Sequence, residues 1–262
     1  MPTVQLAEGE LNYRFDGRED APVLVLSNSL GTDLHMWDDQ VPAFTEHFRV
    51  LRYDTRGHGG STVTPGPYTI EQLGHDVLAL LDALKVQKAF FCGLSMGGLT
   101  GQWLAVNASD RIQRVVICNT AAKIGTADGW NDRIDTVLKG GQAAMVNLRD
   151  ASIGRWFTPE FSQAEPAKVK RITDMLAATS PEGYAANCAA VRDGDFREHL
   201  KAVTVPVLIV AGTHDAVTTP ADGHYMQAQI PNAEYAEFDA AHLSNVQAGE
   251  AFSRRVLAFL TA

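Results

Sequence analysis

The sequence predicts an α/β fold: a mostly parallel central sheet covered by helices on both faces, with a helical cap inserted into it. Three observations predict it. Short strand-like runs alternate with helical stretches from about residue 20 onward. The central runs are almost continuously apolar, as in strands buried on both faces. The alternation stops after Cys118 and resumes only at Val207, with helix-like pieces between.

Taken in order, Val4–Ala7 and Leu11–Phe15 read as a hairpin around Glu8-Gly9. Pro22–Ser27, Phe48–Tyr53, Ala89–Cys92, Val115–Cys118, Val207–Ala211 and Glu234–Phe238 read as the further strands. Ile70–Leu84 is an amphipathic helix, with Leu73, Val77, Leu80, Leu81 and Leu84 on one face. A second helix follows Ser95 and runs to about Asn107, and Val246–Leu260 is the last. Trp130–Lys139, Gln142–Asp150, Pro166–Ala178 and Pro181–Arg192 are the helical pieces of the interruption. Gly140-Gly141, Thr158-Pro159 and Ser180-Pro181 punctuate them. The expected organisation is a core of residues 1–123 and 196–262, with residues 124–195 as the cap. At 262 residues the chain fits one large domain with an insertion.

Composition narrows the function. Lys and Arg number 22 against 31 Asp and Glu, a net charge of −9. Nucleic acid and anionic membrane both want a basic face, so neither is an expected partner. No stretch approaches the roughly 20 apolar residues of a membrane span. The first ten residues have neither the basic region nor the apolar run of a signal peptide. Cys92, Cys118 and Cys188 make an odd count, which reads as reduced thiols in a cytoplasmic protein. CxxC and HExxH are absent, so no metal is expected. GxxxxGK[ST] and GxGxxG are absent too, so nucleotide phosphates lack their usual cradle.

The chemistry concentrates at Gly93-Leu94-Ser95-Met96-Gly97, a G-x-S-x-G motif between an apolar strand and a helix. The turn is so tight that a β-carbon two residues to either side of the serine would collide with it. Ser95 is the expected nucleophile. A serine hydroxyl needs a base, and the base needs an orienting acid. On this strand–turn–helix scaffold they follow in the order Ser, acid, His. Asp215 lies just past the Val207–Ala211 strand and is the expected acid. The alternative site, after Val115–Cys118, reads Asn119-Thr120-Ala121-Ala122-Lys123 and offers no carboxylate. Asp239 is the remaining rival. Of the eight histidines, His242 follows the last strand and precedes the last helix, where the base must originate. The oxyanion donors are expected to be the backbone N–H of Met96 and, by its spacing to Trp37, that of Leu30.

Trp130, Arg133, Ile134 and Val137 share one helical face in the cap. Arg133 is then an ionised group in an apolar stripe. Its guanidinium either snorkels to water or binds a substrate carboxylate, with Trp130 as a wall. Lys123, Lys139 and Arg155 are the alternative cations.

The chain resembles the lid-bearing α/β-hydrolases over essentially its whole length. Asp54-Thr55-Arg56-Gly57-His58-Gly59-Gly60-Ser61 fits that superfamily's D-x-R-G-x-G-x-S turn. It is more specifically similar to the 3-oxoadipate enol-lactonases, through residues 27–40, 51–61, 93–98, 118–125 and 211–220. Asn28-Ser29 stands where most of the superfamily has His-Gly, and Pro220 lies one residue further past Asp215 than in many relatives. The resemblance implies hydrolysis of a small anionic lactone, 3-oxoadipate enol-lactone, in the β-ketoadipate pathway, without a cofactor. A broader carboxylesterase on the same residues, or a ligand receptor on the same fold, are the competing expectations.

Overall fold

Apolar runs without polar interruption fill the middle of the sheet, and the antiparallel hairpin sits at its edge. The computed structural model describes residues 1–262. The strands are β1 (Thr3–Leu6), β2 (Gly9–Asp16), β3 (Val23–Ser27), β4 (Arg49–Tyr53), β5 (Ala89–Leu94), β6 (Ile112–Cys118), β7 (Val207–Gly212) and β8 (Glu234–Phe238). They form one eight-stranded sheet in the order β1-β2-β4-β3-β5-β6-β7-β8. β2 runs antiparallel to β1 and β4, and all other pairs are parallel. Leu24, Val25 and Leu26 of β3 and Val115 and Val116 of β6 are fully buried, as two-sided coverage requires.

The helices are α1 (Val41–Phe44), α2 (Ile70–Ala83), α3 (Met96–Asn107), α4 (Ala127–Trp156), α5 (Pro159–Ala164), α6 (Pro166–Ala178), α7 (Pro181–Asp193), α8 (Pro220–Gln229), α9 (Ser244–Gln247) and α10 (Gly249–Leu260). Four of them, α4 to α7, occupy the stretch between β6 and β7. Their boundaries follow local chemistry. The hydroxyls of Thr126, Thr158 and Ser180 accept from backbone N–H groups at the starts of α4, α5 and α7. Proline opens α5, α6 and α7, where its missing N–H costs nothing. Inside α4, Gly141 leaves the helical region (φ 54°, ψ −140°), so the element is two helices joined at a kink.

The structure departs from the sequence expectation at the final helix and at α8, α1 and α5. The final helix is broken into α9 and α10, because Gly249 adopts φ 33°. α8 was not expected: its sequence PADGHYMQAQ buries only Gly223 and Met226, too few for a visible stripe. α1 and α5 are a single turn or little more, below the length at which periodicity can be read. No helix is long and apolar enough to cross a membrane. Cys92, Cys118 and Cys188 are all free and buried.

The topology also decides where a site can form. From β3 the chain steps outward to β4, then returns to the other side of β3 with β5. The loops leaving β3 and β5 therefore diverge, and the crevice between them opens at the carboxyl ends of the strands.

Candidate active site

Ser95 sits in that crevice, between the end of β5 and the first residue of α3, with φ 56° and ψ −111°. A non-glycine residue in such a region stores of order 1–3 kcal/mol, so its surroundings must hold it. They do so from both sides of the peptide. The Ser95 N–H donates to the Cys118 carbonyl at 2.9 Å, and the Thr120 hydroxyl donates to the Ser95 carbonyl at 2.9 Å. The flanking glycines have a steric cause. A Cβ on Gly93 would lie 2.1 Å from the Gly97 carbonyl oxygen, and one on Gly97 would lie 2.3 Å from that of Ser27.

His242 and Asp215 come together from loops after β8 and β7, with Nδ1 2.8 Å from Oδ2. Both are buried. Burial alone would push the Asp215 carboxyl up. The facing His242, with hydrogen bonds from it, from the Thr218 N–H and from Asn119, outweighs burial and holds it at about 2. The Asn119 Nδ2 donates to Asp215 at 3.1 Å and to the Ala241 carbonyl at 3.2 Å. Asn119 thus stands at the other strand end where an acid could have been, and serves the Asp215 carboxylate instead. Asp239, the rival acid, is exposed and bonds His214 Nε2 at 2.7 Å, away from this cluster.

Ser29, Leu30, Ser95 and His242 line one cavity of about 350 Å³, whose other walls are Trp130, Arg133, Ser152, Arg155, Trp156 and Tyr184 among others. Met96 is the first residue of α3, so its N–H has no acceptor within the helix. The Leu30 loop is held by its neighbours. The Asn28 side chain accepts from Trp37 Nε1 at 3.0 Å and donates to the Tyr53 carbonyl at 2.9 Å. Asn28 is completely buried and pins the loop from below. Ser29 is not among the residues with positive φ, so its side chain costs no backbone strain.

At the start of α4, the Trp130 Nε1 donates to the Ile124 carbonyl at 2.7 Å, and the Arg133 guanidinium lies 5.7 Å from the Trp130 ring centroid. The polar partner of Arg133 is the Tyr184 hydroxyl at 3.3 Å, and that of Arg155 is the Ser152 hydroxyl at 2.9 Å. Neither partner is a carboxylate. Burial and the nearby Arg133 charge both push the Arg155 guanidinium below its ordinary value. Two cations therefore face one cavity uncompensated. Lys123 and Lys139 do not join them: Lys123 lies 3.7 Å from Asp195, and exposed Lys139 pairs with Asp135 at 2.8 Å. No group of three His, Cys, Asp or Glu side chains is arranged to hold a metal ion.

Sequence reasoning missed Asn28, Asn119, Thr218 and His58, because their partners are distant in the chain or unmarked by any motif. His58 is buried too, and burial pushes its imidazole down to about 4. The sign of the linkage follows. The unfolded chain binds this proton below about pH 6.5 and the native state only below about 4, so acid favours unfolding across that window. The expected result is a loss of roughly 3 kcal/mol of stability between those limits from this residue. Urea titrations at stepped pH check it, and a His58→Gln variant is expected to lack this component. A wild-type profile flat from pH 6.5 to 4 would contradict a neutral buried imidazole.

Residues 22–248 match the family model described as the alpha/beta hydrolase fold. The chain is 44% identical to 3-oxoadipate enol-lactonase 2 of Acinetobacter baylyi over 98% of its own length and 96% of the relative's. Among solved structures, it is similar to the enol-lactonase from Burkholderia xenovorans LB400, with a TM-score of 0.97 at 49% identity and full coverage of both chains. It is also similar to a thermophilic esterase from Thermogutta terrifontis, with a TM-score of 0.93 at 26% identity, covering 100% of this chain and 98% of the other. With its eight-stranded sheet, strained serine turn and full-length relatives, the chain belongs to the α/β hydrolase fold family.

Proposed function

We propose that this chain hydrolyses 3-oxoadipate enol-lactone to 3-oxoadipate in the β-ketoadipate pathway, through an acyl-enzyme on Ser95. The observation that carries the reading is the cavity: about 350 Å³ beside Ser95 and His242, with two guanidiniums lacking carboxylate partners, in a protein of net charge −9. A small anionic ester is the ligand that such a site favours. The names of the enol-lactonase relatives support the same substrate class.

In this mechanism the Ser95 Oγ attacks the lactone carbonyl as His242 Nε2 takes its proton. Asp215 orients the ring through Nδ1 and stabilises its charged form. The Leu30 and Met96 N–H groups receive the oxyanion. The ring C–O bond breaks, the enol oxygen takes the proton from His242, and the enol tautomerises to the ketone. Water, deprotonated by His242, then cleaves the Ser95 ester. Residues 124–195 act as the cap, with Arg133 on the distal carboxylate, Arg155 beside it and Trp130 against the lactone ring. No cofactor enters the sequence of steps.

The test is disappearance of the enol-lactone measured beside hydrolysis of p-nitrophenyl acetate. A much larger kcat/KM on the lactone is expected, and a preference for the acetate would transfer the chain to a broader esterase role. Arg133→Met sharpens it. The loss on the enol-lactone is expected to be about 1.5–3 kcal/mol, as for a hydrogen bond to a charged group. A neutral lactone of similar size should be almost unaffected. Equal losses on both would reduce Arg133 to a packing residue.

A further inference from the structure

The loop that carries Leu30 is anchored by two consecutive peptide planes. In the first, the Ser29 carbonyl accepts from the Thr32 N–H at 3.1 Å and the Thr32 hydroxyl at 2.8 Å. Ser29 C=O and Leu30 N–H share that plane and, in a trans peptide, point in opposite directions. Fixing the carbonyl toward Thr32 thus aims the Leu30 N–H the other way. In the second plane, the Gly31 N–H donates to His58 Nε2 at 2.9 Å. The Leu30 N–H itself makes no hydrogen bond within the protein.

His58 belongs to a different loop, after β4, and is buried. Its Nε2 must carry a lone pair to accept from Gly31, so the ring proton sits on Nδ1. Nδ1 lies 3.4 Å from both the Arg56 carbonyl and Asn187 Nδ2, and in that tautomer it donates to the carbonyl. The same carbonyl accepts from Asn187 Nδ2 at 2.8 Å, and Asn187 lies on α7 between β6 and β7. Asn187 Nδ2 also donates to the Gly183 carbonyl at 2.8 Å. The backbones meet closely here: a Cβ on Gly183 would lie 2.2 Å from the Gly57 carbonyl oxygen. Arg56 itself is locked by a two-point ion pair with Asp76, both contacts at 2.6 Å. A rigid chain of contacts therefore runs from α7 through the Arg56–His58 loop to Gly31.

We propose that His58 is a positioning residue for the oxyanion hole: by accepting the Gly31 N–H, it fixes the peptide that follows Leu30 and keeps the Leu30 N–H aimed at the reacting carbonyl. The inference rests on the oxyanion role proposed for Leu30. It gives the histidine of the D-x-R-G-x-G turn a task that its burial alone does not explain. An apolar residue could fill the same volume, but it would leave the Gly31 N–H without an acceptor and the Leu30–Gly31 peptide plane unanchored. A misplacement of about 1 Å in a catalytic group can cost on the order of 100-fold in rate.

The experiment compares His58→Gln with His58→Asn. Both are neutral amides, but only Gln reaches as far as Nε2 and can present an acceptor to Gly31. Gln is expected to keep kcat within about threefold of wild type. Asn is expected to lose roughly 10- to 100-fold in kcat with KM little changed, since ground-state binding does not use the oxyanion donor. Phosphonate labelling of Ser95 should slow in parallel with kcat. Equal kcat in the two folded variants overturns the proposal, as does a loss confined to KM. A measurement on the wild type needs no variant to fold: ¹⁵N shifts of the imidazole should report the Nδ1–H tautomer at pH 7. A proton on Nε2 would rule out the Gly31 contact. Failure of the wild type to be labelled at Ser95 at all would instead sink the acyl-enzyme reading, and so separates the two.

Discussion

Ser95→Ala is expected to abolish covalent labelling by a serine-directed phosphonate and to lower hydrolysis by roughly 10⁵- to 10⁶-fold, as loss of the nucleophile does in serine hydrolases. The residue is held at φ 56° by contacts to its backbone, not to its hydroxyl: the Cys118 carbonyl and the Thr120 hydroxyl both act on the Ser95 peptide groups. Alanine keeps the Cβ and those backbone groups, so the turn and its strain persist. The melting temperature should therefore stay within a degree or two of wild type, and the lost rate reports chemistry alone. Residual turnover above water is expected from the oxyanion donors and the bound geometry. Mass spectrometry of the intact protein after phosphonate treatment reads the outcome directly. A labelled alanine variant would move the nucleophile to another side chain.

Ser95 was legible in the sequence because its signal is local: apolar strand, glycine, serine, glycine, helix. The pairing of His242 with Asp215 was legible for a related reason, since each follows a recognisable strand. The central strands were legible because burial on both faces leaves continuous apolar runs such as Val207–Ala211. What was not legible depends on contacts between distant segments. Nothing near His58 announces that its acceptor nitrogen meets Gly31, and nothing near Asn119 announces that its amide meets Asp215. Arg155 could be named only as one alternative among three. It lies beyond the Gly141 kink from Arg133, and helical periodicity carries no phase across such a break. α8 was missed because it buries so little that its pattern is that of a loop. Local steric and hydrophobic rules thus fix the scaffold and the primary residues, while the groups that tune them are set by the tertiary fold.

Asp215→Asn is the sharper test of how that tuning operates, because it changes one atom and one charge. The Val217 and Thr218 N–H groups donate to Oδ1 at 2.8 and 3.0 Å. The Thr218 hydroxyl, Asn119 Nδ2 and His242 Nδ1 converge on Oδ2 at 2.9, 3.1 and 2.8 Å. An acceptor-only carboxylate satisfies all of them. An amide must set an NH₂ among these donors. The two backbone N–H groups cannot turn away, so the amide oxygen stays on their side and the NH₂ faces His242. A donor facing Nδ1 forces the imidazole into the tautomer with its proton on Nε2, where it cannot accept the Ser95 proton. Hydrolysis is expected to fall by about 10⁴-fold with the fold intact, as the same substitution does in serine proteases. Stability should also fall, since Asp215 is held at about 2 against an ordinary 3.8. A carboxyl with a lowered native value contributes stability above its unfolded value and loses it as pH falls toward the native one. The wild-type advantage over the Asn variant should therefore shrink as pH drops from about 4 to 2. A near-normal rate in the Asn variant would mean that His242 is oriented by another carboxylate. Asp239 would be the first to examine, and it would have to leave His214 and its exposed position to reach the ring.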